Sequence, residues 1–286
     1  MKKLLLAAAA VAALTTPLSA KTKGEVLVIV SSEHHLDLAD GKKYATGYYL
    51  NELAVPVQKI IEAGYTPIFA NPKGNKPSMD VHSNDKMFFG GDDTKRAKTL
   101  AFVDSLPGLA KPKSFETVLK EGTDRYVGIF LPGGHAPMQD LLKSQDLGKI
   151  LKSFHDSQRP TALICHAPIA LLSTMADPVA FHEAAAKNDT ASMAKLAANW
   201  PYAGYRMTVF ATSEEKAVEP GQLKGKVRFY PAEVLAEAGG RLESLAAWKS
   251  NVVQDRELIT GQQPFSDDAL GDLFVKALDI ETAKRK

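Results

Sequence analysis

The feature that most constrains the fold of this chain is the alternation of short, continuously apolar runs with longer helix-forming stretches. The apolar runs predict strands at 26–30, 66–70, 126–131, 161–165, 206–211 and 257–260. Such runs are typical of strands that are buried on both faces of a parallel sheet. The helix-forming stretches are 46–63, 145–158, 166–175, 231–238 and 264–278. This order predicts an α/β protein, a three-layer sandwich around a doubly wound, mostly parallel sheet.

The first 20 residues have the pattern of a secretory signal peptide. Lys2 and Lys3 precede an apolar stretch at 4–14 that is too short to span a bilayer as a helix, and Ser19-Ala20 offers a small-residue cleavage site. We therefore expect an exported protein, periplasmic or secreted, without stable membrane association; an uncleaved membrane anchor is the alternative.

Residues 21–286 predict a single domain with two departures from the strand–helix rhythm. One is a polar, loop-rich excursion at 71–114, and the other is an Ala-rich helical insertion at 181–200. The net charge is +2, and no basic run occurs beyond Lys284-Arg285-Lys286. A nucleic-acid partner is therefore not expected.

Cys165 is the only cysteine of the chain. A lone cysteine cannot form an intramolecular disulfide, so in an exported protein it is either sheltered or present for chemistry. It stands between an apolar strand and a helix with almost no loop, which predicts a sharp turn like the nucleophile elbow of hydrolases. We expect the helix N-terminus to favour the thiolate. A small buried hydrophobe is the alternative.

Two further segments suggest partners for this thiol. Gly133-Gly134 closes another apolar strand, where the backbone N–H groups of Gly134 and His166 could form an oxyanion hole; a tight turn is the alternative. Glu52 lies among apolar and aromatic residues. A buried carboxylate must be paired or protonated, whereas a surface position on a helix would need no such explanation.

Three motifs together resemble the PfpI superfamily, also called class I glutamine amidotransferase-like. They are Glu52 followed by Pro56-Val57, the Pro-Gly-Gly-His segment 132–135, and the segment 162–168, Ala-Leu-Ile-Cys-His-Ala-Pro. The resemblance is closest to the branch of heat-shock chaperones with glyoxalase III and reported deglycase activity. It spans essentially the whole chain after the signal segment and implies a flavodoxin-like fold.

The resemblance implies a Cys-His-acid triad with a glutamate that touches the sulfur. By position, the triad is Cys165, His166 and Glu215, with Glu214 as the alternative acid. Glu52 matches the glutamate at the sulfur.

The resemblance also bears on the pocket and on metals. His82 falls in a segment similar to a loop near the pocket mouth, and we take His135 as the other candidate pocket residue. Some members bind zinc through the first helix, but segment 58–62 has no histidine, so no metal site is predicted. His34-His35 lacks a convincing ligand spacing.

We therefore expect a cofactor-independent cysteine enzyme that acts on a small aldehyde or a glycated substrate. The expected reaction is that of glyoxalase III, methylglyoxal to D-lactate, with deglycase activity also considered, and the expected assembly is a homodimer. An exported holdase-type chaperone and a cysteine peptidase or amidase are the alternatives. Glutamine amidotransfer is disfavoured, because His182-Glu183 lies in the insertion rather than after a strand.

Overall fold

The computed structural model describes residues 22–285, so the predicted signal peptide lies outside the described residues. No helix within 22–285 is long and apolar enough to cross a membrane. The strands are β1 Glu25–Ile29, β2 His35–Asp37, β3 Lys43–Ala45, β4 Thr66–Asn71, β5 Lys113–Ser114, β6 Tyr126–Leu131, β7 Thr161–Ile164, β8 Arg206–Met207, β9 Arg241–Leu242, β10 Val252–Asp255 and β11 Leu258–Gly261. The α-helices are α1 Leu50–Glu62, α2 Asp93–Asp104, α3 Phe115–Glu121, α4 Gln145–Asp156, α5 Pro178–Ala186, α6 Thr190–Leu196, α7 Thr212–Val218, α8 Pro231–Glu237 and α9 Asp267–Lys284.

Seven strands form the main sheet in the order β10-β11-β7-β6-β1-β4-β5. All neighbours are parallel except the pair β10 and β11. The mostly parallel, flavodoxin-like sheet predicted from the apolar runs is therefore confirmed. The carboxyl ends of the central strands β6 and β7 lie side by side, which is where such sheets bind ligands.

Two apolar cores cover the two faces of this sheet. Along β1, Val26 and Val28 point into one core, and Leu27 and Ile29 point into the other. Helices α1 and α9 pack on the first face, and α4 packs on the second. Burial on both faces explains why the central strands are continuously apolar rather than alternating.

The predicted strand at 206–211 is wrong. Only Arg206–Met207 is a strand, and it pairs with β9 in a separate two-stranded sheet. The backbone N–H of Thr208 donates to the side chain of Thr260, and that of Phe210 donates to the carbonyl of Cys165. This apolar segment therefore crosses the carboxyl ends of β11 and β7 instead of extending the sheet.

Other boundaries differ for local reasons. Helix α1 begins at Leu50 rather than at residue 46, and Tyr48 forms an isolated bridge with Met79 instead. The stretch after the cysteine is a 3₁₀ helix, Ala167–Thr174. The excursion at 71–114 contains α2, whose N-terminus is capped by Asp92. That cap was the available sequence signal for the helix.

Candidate active site

Cys165 occupies a strained turn at the end of β7. Its φ is +62°, in the left-handed region that non-glycine residues seldom adopt. Two backbone hydrogen bonds hold this conformation: the N–H of Cys165 donates to the carbonyl of Gly261, and its carbonyl accepts from the N–H of Phe210, both at 2.8 Å. The turn has the form of a nucleophile elbow, and neighbouring segments hold it through both the N–H and the carbonyl of Cys165.

The sulfur faces a cavity of about 380 Å³ beyond the carboxyl ends of the strands. The Cys165 residue is only 3% exposed, so this cavity is its route to solvent. Much of the wall is aromatic, formed by Tyr49, Phe88, Phe210, Trp248 and Phe265. A mostly apolar cavity of this size suits a small molecule.

His166 links the thiol to a buried carboxylate. Its Nδ1 lies 3.2 Å from the sulfur of Cys165, and its Nε2 lies 2.6 Å from Oε2 of Glu215. Because an ionised carboxylate only accepts hydrogen bonds, Nε2 carries the hydrogen. Burial, together with the neighbouring His135, lowers the pKa of His166 to about 4. His166 is therefore neutral at neutral pH, and its Nδ1 can accept the thiol proton.

Of the two candidate acids on α7, Glu215 is the one that contacts His166. The side chain of Glu214 accepts hydrogen bonds from the backbone N–H groups of Ala211 and Trp248 and from the amide of Gln262. These contacts cap α7 and tie it to the 248 loop. Glu214 therefore stabilises the local fold, whereas Glu215 faces the site.

Glu52 lies on the first turn of α1 and is completely buried. A Cβ added at Gly133 would lie closer than 3.0 Å to both the Glu52 carboxyl and Cys165 Cβ, so the absence of a side chain there lets the two groups approach. Burial raises the pKa of Glu52 to about 8. Neither carboxyl oxygen of Glu52 forms a well-oriented hydrogen bond within residues 22–285. The Cys165 thiol and the Gly133 amide nevertheless face the carboxyl and oppose part of the rise in its pKa.

The expectation that the thiol has a lowered pKa is wrong. Burial, followed by the charge of Glu52, raises the pKa of Cys165, and the N–H of Gly134 opposes this only in part. Removal of the sulfur from water outweighs the favourable dipole of the short helix that follows.

Of the two backbone amides predicted to form an oxyanion hole, that of Gly134 contacts the sulfur. Gly134 has a φ of +92°, which glycine adopts without strain, and its N–H faces the thiol. The preceding carbonyl, of Gly133, accepts from the N–H of Tyr49 at 3.2 Å. His166 directly follows the elbow residue. The role of these two amides stays a prediction.

His135 occupies a more central place than the sequence indicated. It lines the cavity, and its Nε2 lies 2.8 Å from Oε1 of Glu215, so Glu215 contacts two histidines. The signal that could have indicated this is its position: His135 follows β6 as His166 follows β7, at the same edge of the sheet.

The pocket assignment of His82 is wrong. His82 is not among the residues that line the cavity, and its side chain is 45% exposed. Its Nδ1 lies 3.1 Å from the hydroxyl of Tyr44, whose ring in turn packs edge-on against His135. Tyr44 therefore separates His82 from the site.

Within residues 22–285, two groups of three His or Glu side chains have nitrogen or oxygen atoms within 4.8 Å of one another. One is His135, His166 and Glu215, whose close atoms are already hydrogen-bonded to each other. The other is the surface group Glu33, His34 and His35 after β1. In the latter, Glu33 is paired with Lys73 at 2.5 Å. The structure thus adds Glu33 to the adjacent histidines that the sequence offered.

A cysteine elbow with histidine and glutamate partners, at the carboxyl edge of a flavodoxin-like sheet, is the arrangement that the resemblance to class I glutamine amidotransferase-like proteins implies. A model of the DJ-1/PfpI family matches residues 103–180. The protein/nucleic acid deglycase HchA of Staphylococcus aureus (strain bovine RF122 / ET3-1) is 28% identical over 262 residues, which is 90% of this chain and 80% of that protein. These similarities confirm the resemblance to the PfpI superfamily that the motifs indicate.

Solved structures support the fold. Rapid Encystment Protein 24 kDa of Francisella tularensis superimposes with a TM-score of 0.69 at 23% identity, over 89% of this chain and 99% of that one. Glyoxalase III of Candida albicans superimposes with a TM-score of 0.65 at 20% identity, over 89% of this chain and 97% of that one.

Proposed function

We propose that this protein is a cofactor-independent cysteine enzyme that acts on small reactive carbonyls and converts methylglyoxal to D-lactate. The observation that carries the proposal is the fully buried Glu52 beside Cys165, with a carboxyl whose pKa is raised to about 8 by burial. A nucleophile with an adjacent proton carrier is what addition to an aldehyde and a subsequent proton shift require. The relationship to a protein named as a deglycase supports a carbonyl substrate.

The first step is addition of the thiol to the aldehyde carbon. His166 accepts the proton of Cys165 at Nδ1, and a bond forms between the sulfur and the aldehyde carbon. The carbonyl oxygen takes the proton of the Glu52 carboxyl and becomes the hydroxyl of a hemithioacetal. The N–H groups of Gly134 and His166 stabilise the negative charge as it develops on that oxygen.

The second step is a proton shift between adjacent carbons. The Glu52 carboxylate removes the hydrogen of the former aldehyde carbon and returns it to the neighbouring ketone carbon. Protonated His166 gives its proton to the second oxygen and takes the proton of the first, so the product is the thioester of lactate. One carbon is oxidised and its neighbour is reduced, and no external electron acceptor is needed. Because Glu52 delivers the proton from one side, we expect one enantiomer.

The third step is hydrolysis. Water attacks the thioester carbonyl, the carbon–sulfur bond breaks, and lactate leaves. The Glu52 carboxylate accepts a proton from the attacking water, and His166 returns the proton that it took from Cys165 to the departing sulfur, so that the thiol and the Glu52 carboxyl are both restored.

The test is production of D-lactate from methylglyoxal without glutathione. We expect activity in the unsubstituted protein, none in Cys165→Ala, and a decrease of about 10²–10⁴-fold in Glu52→Gln, the usual range for loss of a general acid–base group. Glu62→Gln, a change at an exposed position on the same helix, is the matched control and should retain activity. Undiminished D-lactate production in both Cys165→Ala and Glu52→Gln would contradict the mechanism.

Deglycase activity is a second candidate, favoured by the name of the Staphylococcus aureus relative. It can be separated from the first reaction with a peptide carrying methylglyoxal adducts. We expect Cys165-dependent release of the adducts that continues when free methylglyoxal is removed by a chemical scavenger. Release that proceeds at the same rate with Cys165→Ala would show that only spontaneous reversal is observed.

A further inference from the structure

His135 is a buried group of the site that the proposed mechanism does not use. It is 3% exposed, its ring centroid lies 4.0 Å from that of His166, and it lines the cavity beside Cys165. Its Nε2 is occupied by Glu215. Its other nitrogen, Nδ1, is buried and has no hydrogen-bond partner within residues 22–285. A buried polar atom without a partner in a binding cavity calls for an explanation.

The Glu215 carboxylate fixes where the ring hydrogens lie. Although burial opposes it, His135 and His166 hold the pKa of Glu215 well below its usual range, so this carboxylate is ionised and only accepts. Both Nε2 atoms therefore donate to it. On neutral His166 the hydrogen at Nε2 leaves Nδ1 bare, as required for a base facing the thiol.

The second histidine differs in its charge. Burial opposes protonation of His135, but the charge and hydrogen bond of Glu215, with a smaller contribution from Asp80, raise its pKa. The other groups packed against its ring are Tyr44, His166 and Phe210. The contact with ionised Glu215 favours the doubly protonated ring of His135, in which Nδ1–H is a donor without a partner within residues 22–285.

We propose that Nδ1–H of His135 binds the second oxygen of a 2-oxoaldehyde, the ketone oxygen next to the carbon that Cys165 attacks. The inference rests on the proposed function and names the substrate class. Gly134 and His135 are consecutive, so a backbone donor and a ring donor lie next to each other, as do the two oxygens of such a substrate. Negative charge passes to the ketone oxygen during the proton shift, where the donor of His135 would stabilise it.

Two substitutions separate the two nitrogens of His135. The longer amide of His135→Gln can replace Nε2 as the donor to Glu215 but places nothing at Nδ1. The shorter amide of His135→Asn can replace Nδ1 but does not reach Glu215. Each variant is assayed for kcat and KM with methylglyoxal, and for the rate at which iodoacetamide alkylates Cys165, a reaction without a second substrate oxygen.

We expect His135→Gln to lower kcat/KM for methylglyoxal by about tenfold or more, the effect of losing one hydrogen bond to a charged donor. Its alkylation rate should fall by less than kcat/KM for methylglyoxal does, because alkylation involves no second substrate oxygen. His135→Asn should retain more of the affinity for methylglyoxal but shift the pH profile of alkylation, because Glu215 has lost one partner. Unchanged kcat/KM in His135→Gln would overturn the assignment. Absence of D-lactate with the unsubstituted protein is a different result and contradicts the proposed function itself.

A measurement without substitution at His135 covers the case in which these variants do not fold. In Cys165→Ala labelled with ¹⁵N-histidine, hydroxyacetone presents two adjacent oxygens and cannot react, whereas acetone presents one. We expect hydroxyacetone to shift the Nδ1 resonance of His135 and acetone to leave it in place. An equal response to the two compounds, or none to either, contradicts the proposed contact.

Discussion

The rings of His135 and His166 lie 4.0 Å apart, centroid to centroid, and both donate through Nε2 to the carboxylate of Glu215. Although the two rings share this carboxylate, their pKa values shift in opposite directions. The pKa of His135 is raised, chiefly by Glu215 against the effect of burial, whereas burial and His135 lower that of His166 to about 4. Glu215 thereby favours the charged form of His135, whereas His166 stays neutral at neutral pH and can act as a base.

Replacement of Glu215 should separate catalysis from stability. We expect Glu215→Gln to reduce the rate of D-lactate formation by about 10²–10⁴-fold, because an amide has one acceptor oxygen and cannot accept the Nε2 hydrogens of both rings as the carboxylate does. Glu214→Gln is the matched control, since it weakens the cap of α7 and the contact with the 248 loop. It should lower the melting temperature but leave the rate per folded molecule within a few-fold. The reverse pattern would assign the acid to Glu214.

The rate should have a bell-shaped pH dependence. His166 must be neutral to accept the thiol proton, so activity falls as the pH drops toward 4. Glu52 must be protonated when the thiol adds, so activity also falls as the pH rises through about 8. A profile of kcat/KM measures both limbs. If Glu52→Gln retains enough activity to measure, the decrease in its activity on the alkaline side should occur at a higher pH. A decrease at the same pH would assign that titration to another group.

Glu52 should also make the protein less stable as the pH rises. The folded state keeps this carboxyl protonated up to about pH 8, whereas in the unfolded chain it ionises near its ordinary value of 4.5. The unfolded state then binds fewer protons, so the free energy of unfolding decreases with pH between these values, by at most about 1.4 kcal/mol per unit. The difference in stability between the unsubstituted protein and Glu52→Gln, measured in urea from pH 5 to 8, isolates this group. A constant difference would mean that Glu52 is ionised when folded.

Gly133 should not tolerate a side chain. A Cβ there would overlap the Glu52 carboxyl, Cys165 Cβ and the carbonyl oxygen of Ile164, all closer than 3.0 Å. We expect Gly133→Ala to destabilise the fold by about 1–3 kcal/mol or more, as overpacking does, and to abolish activity because Glu52 and Cys165 are pushed apart. Gly221→Ala is the control, since no atom lies within 4 Å of its added Cβ. Equal melting temperatures for the two variants would contradict the close approach.

The aromatic wall should limit substrate size. Phe88 packs edge-on against Tyr49 and also contacts Phe265, and all three line the cavity of about 380 Å³. We expect Phe88→Ala to raise kcat/KM for phenylglyoxal relative to methylglyoxal by about tenfold, because the larger substrate gains room while the smaller one loses apolar contact. Both substrates are compared in the same preparation. A ratio that stays constant would mean that Phe88 does not face the bound substrate.

The amino-acid sequence by itself determined the sheet and the position of the nucleophile. The continuously apolar segments 126–131 and 161–164 are strands because burial on both faces requires apolar residues at every position, a local signal. The same reasoning failed at 206–211. There an apolar segment forms hydrogen bonds to the side chain of Thr260 and to the carbonyl of Cys165, which no local pattern reveals.

The electrostatics of the site were decided only by the tertiary structure. His135 and Glu215 are 80 residues apart, and the choice of Glu215 over Glu214 depends on which side of α7 faces the end of β7. The direction in which the pKa of Cys165 shifts likewise depends on burial and on Glu52, which lies on helix α1. Residue types and spacings in one dimension can indicate a reactive cysteine. Protonation states depend on desolvation and on charges only a few ångströms away. Both conditions arise only when the chain has packed into its tertiary structure.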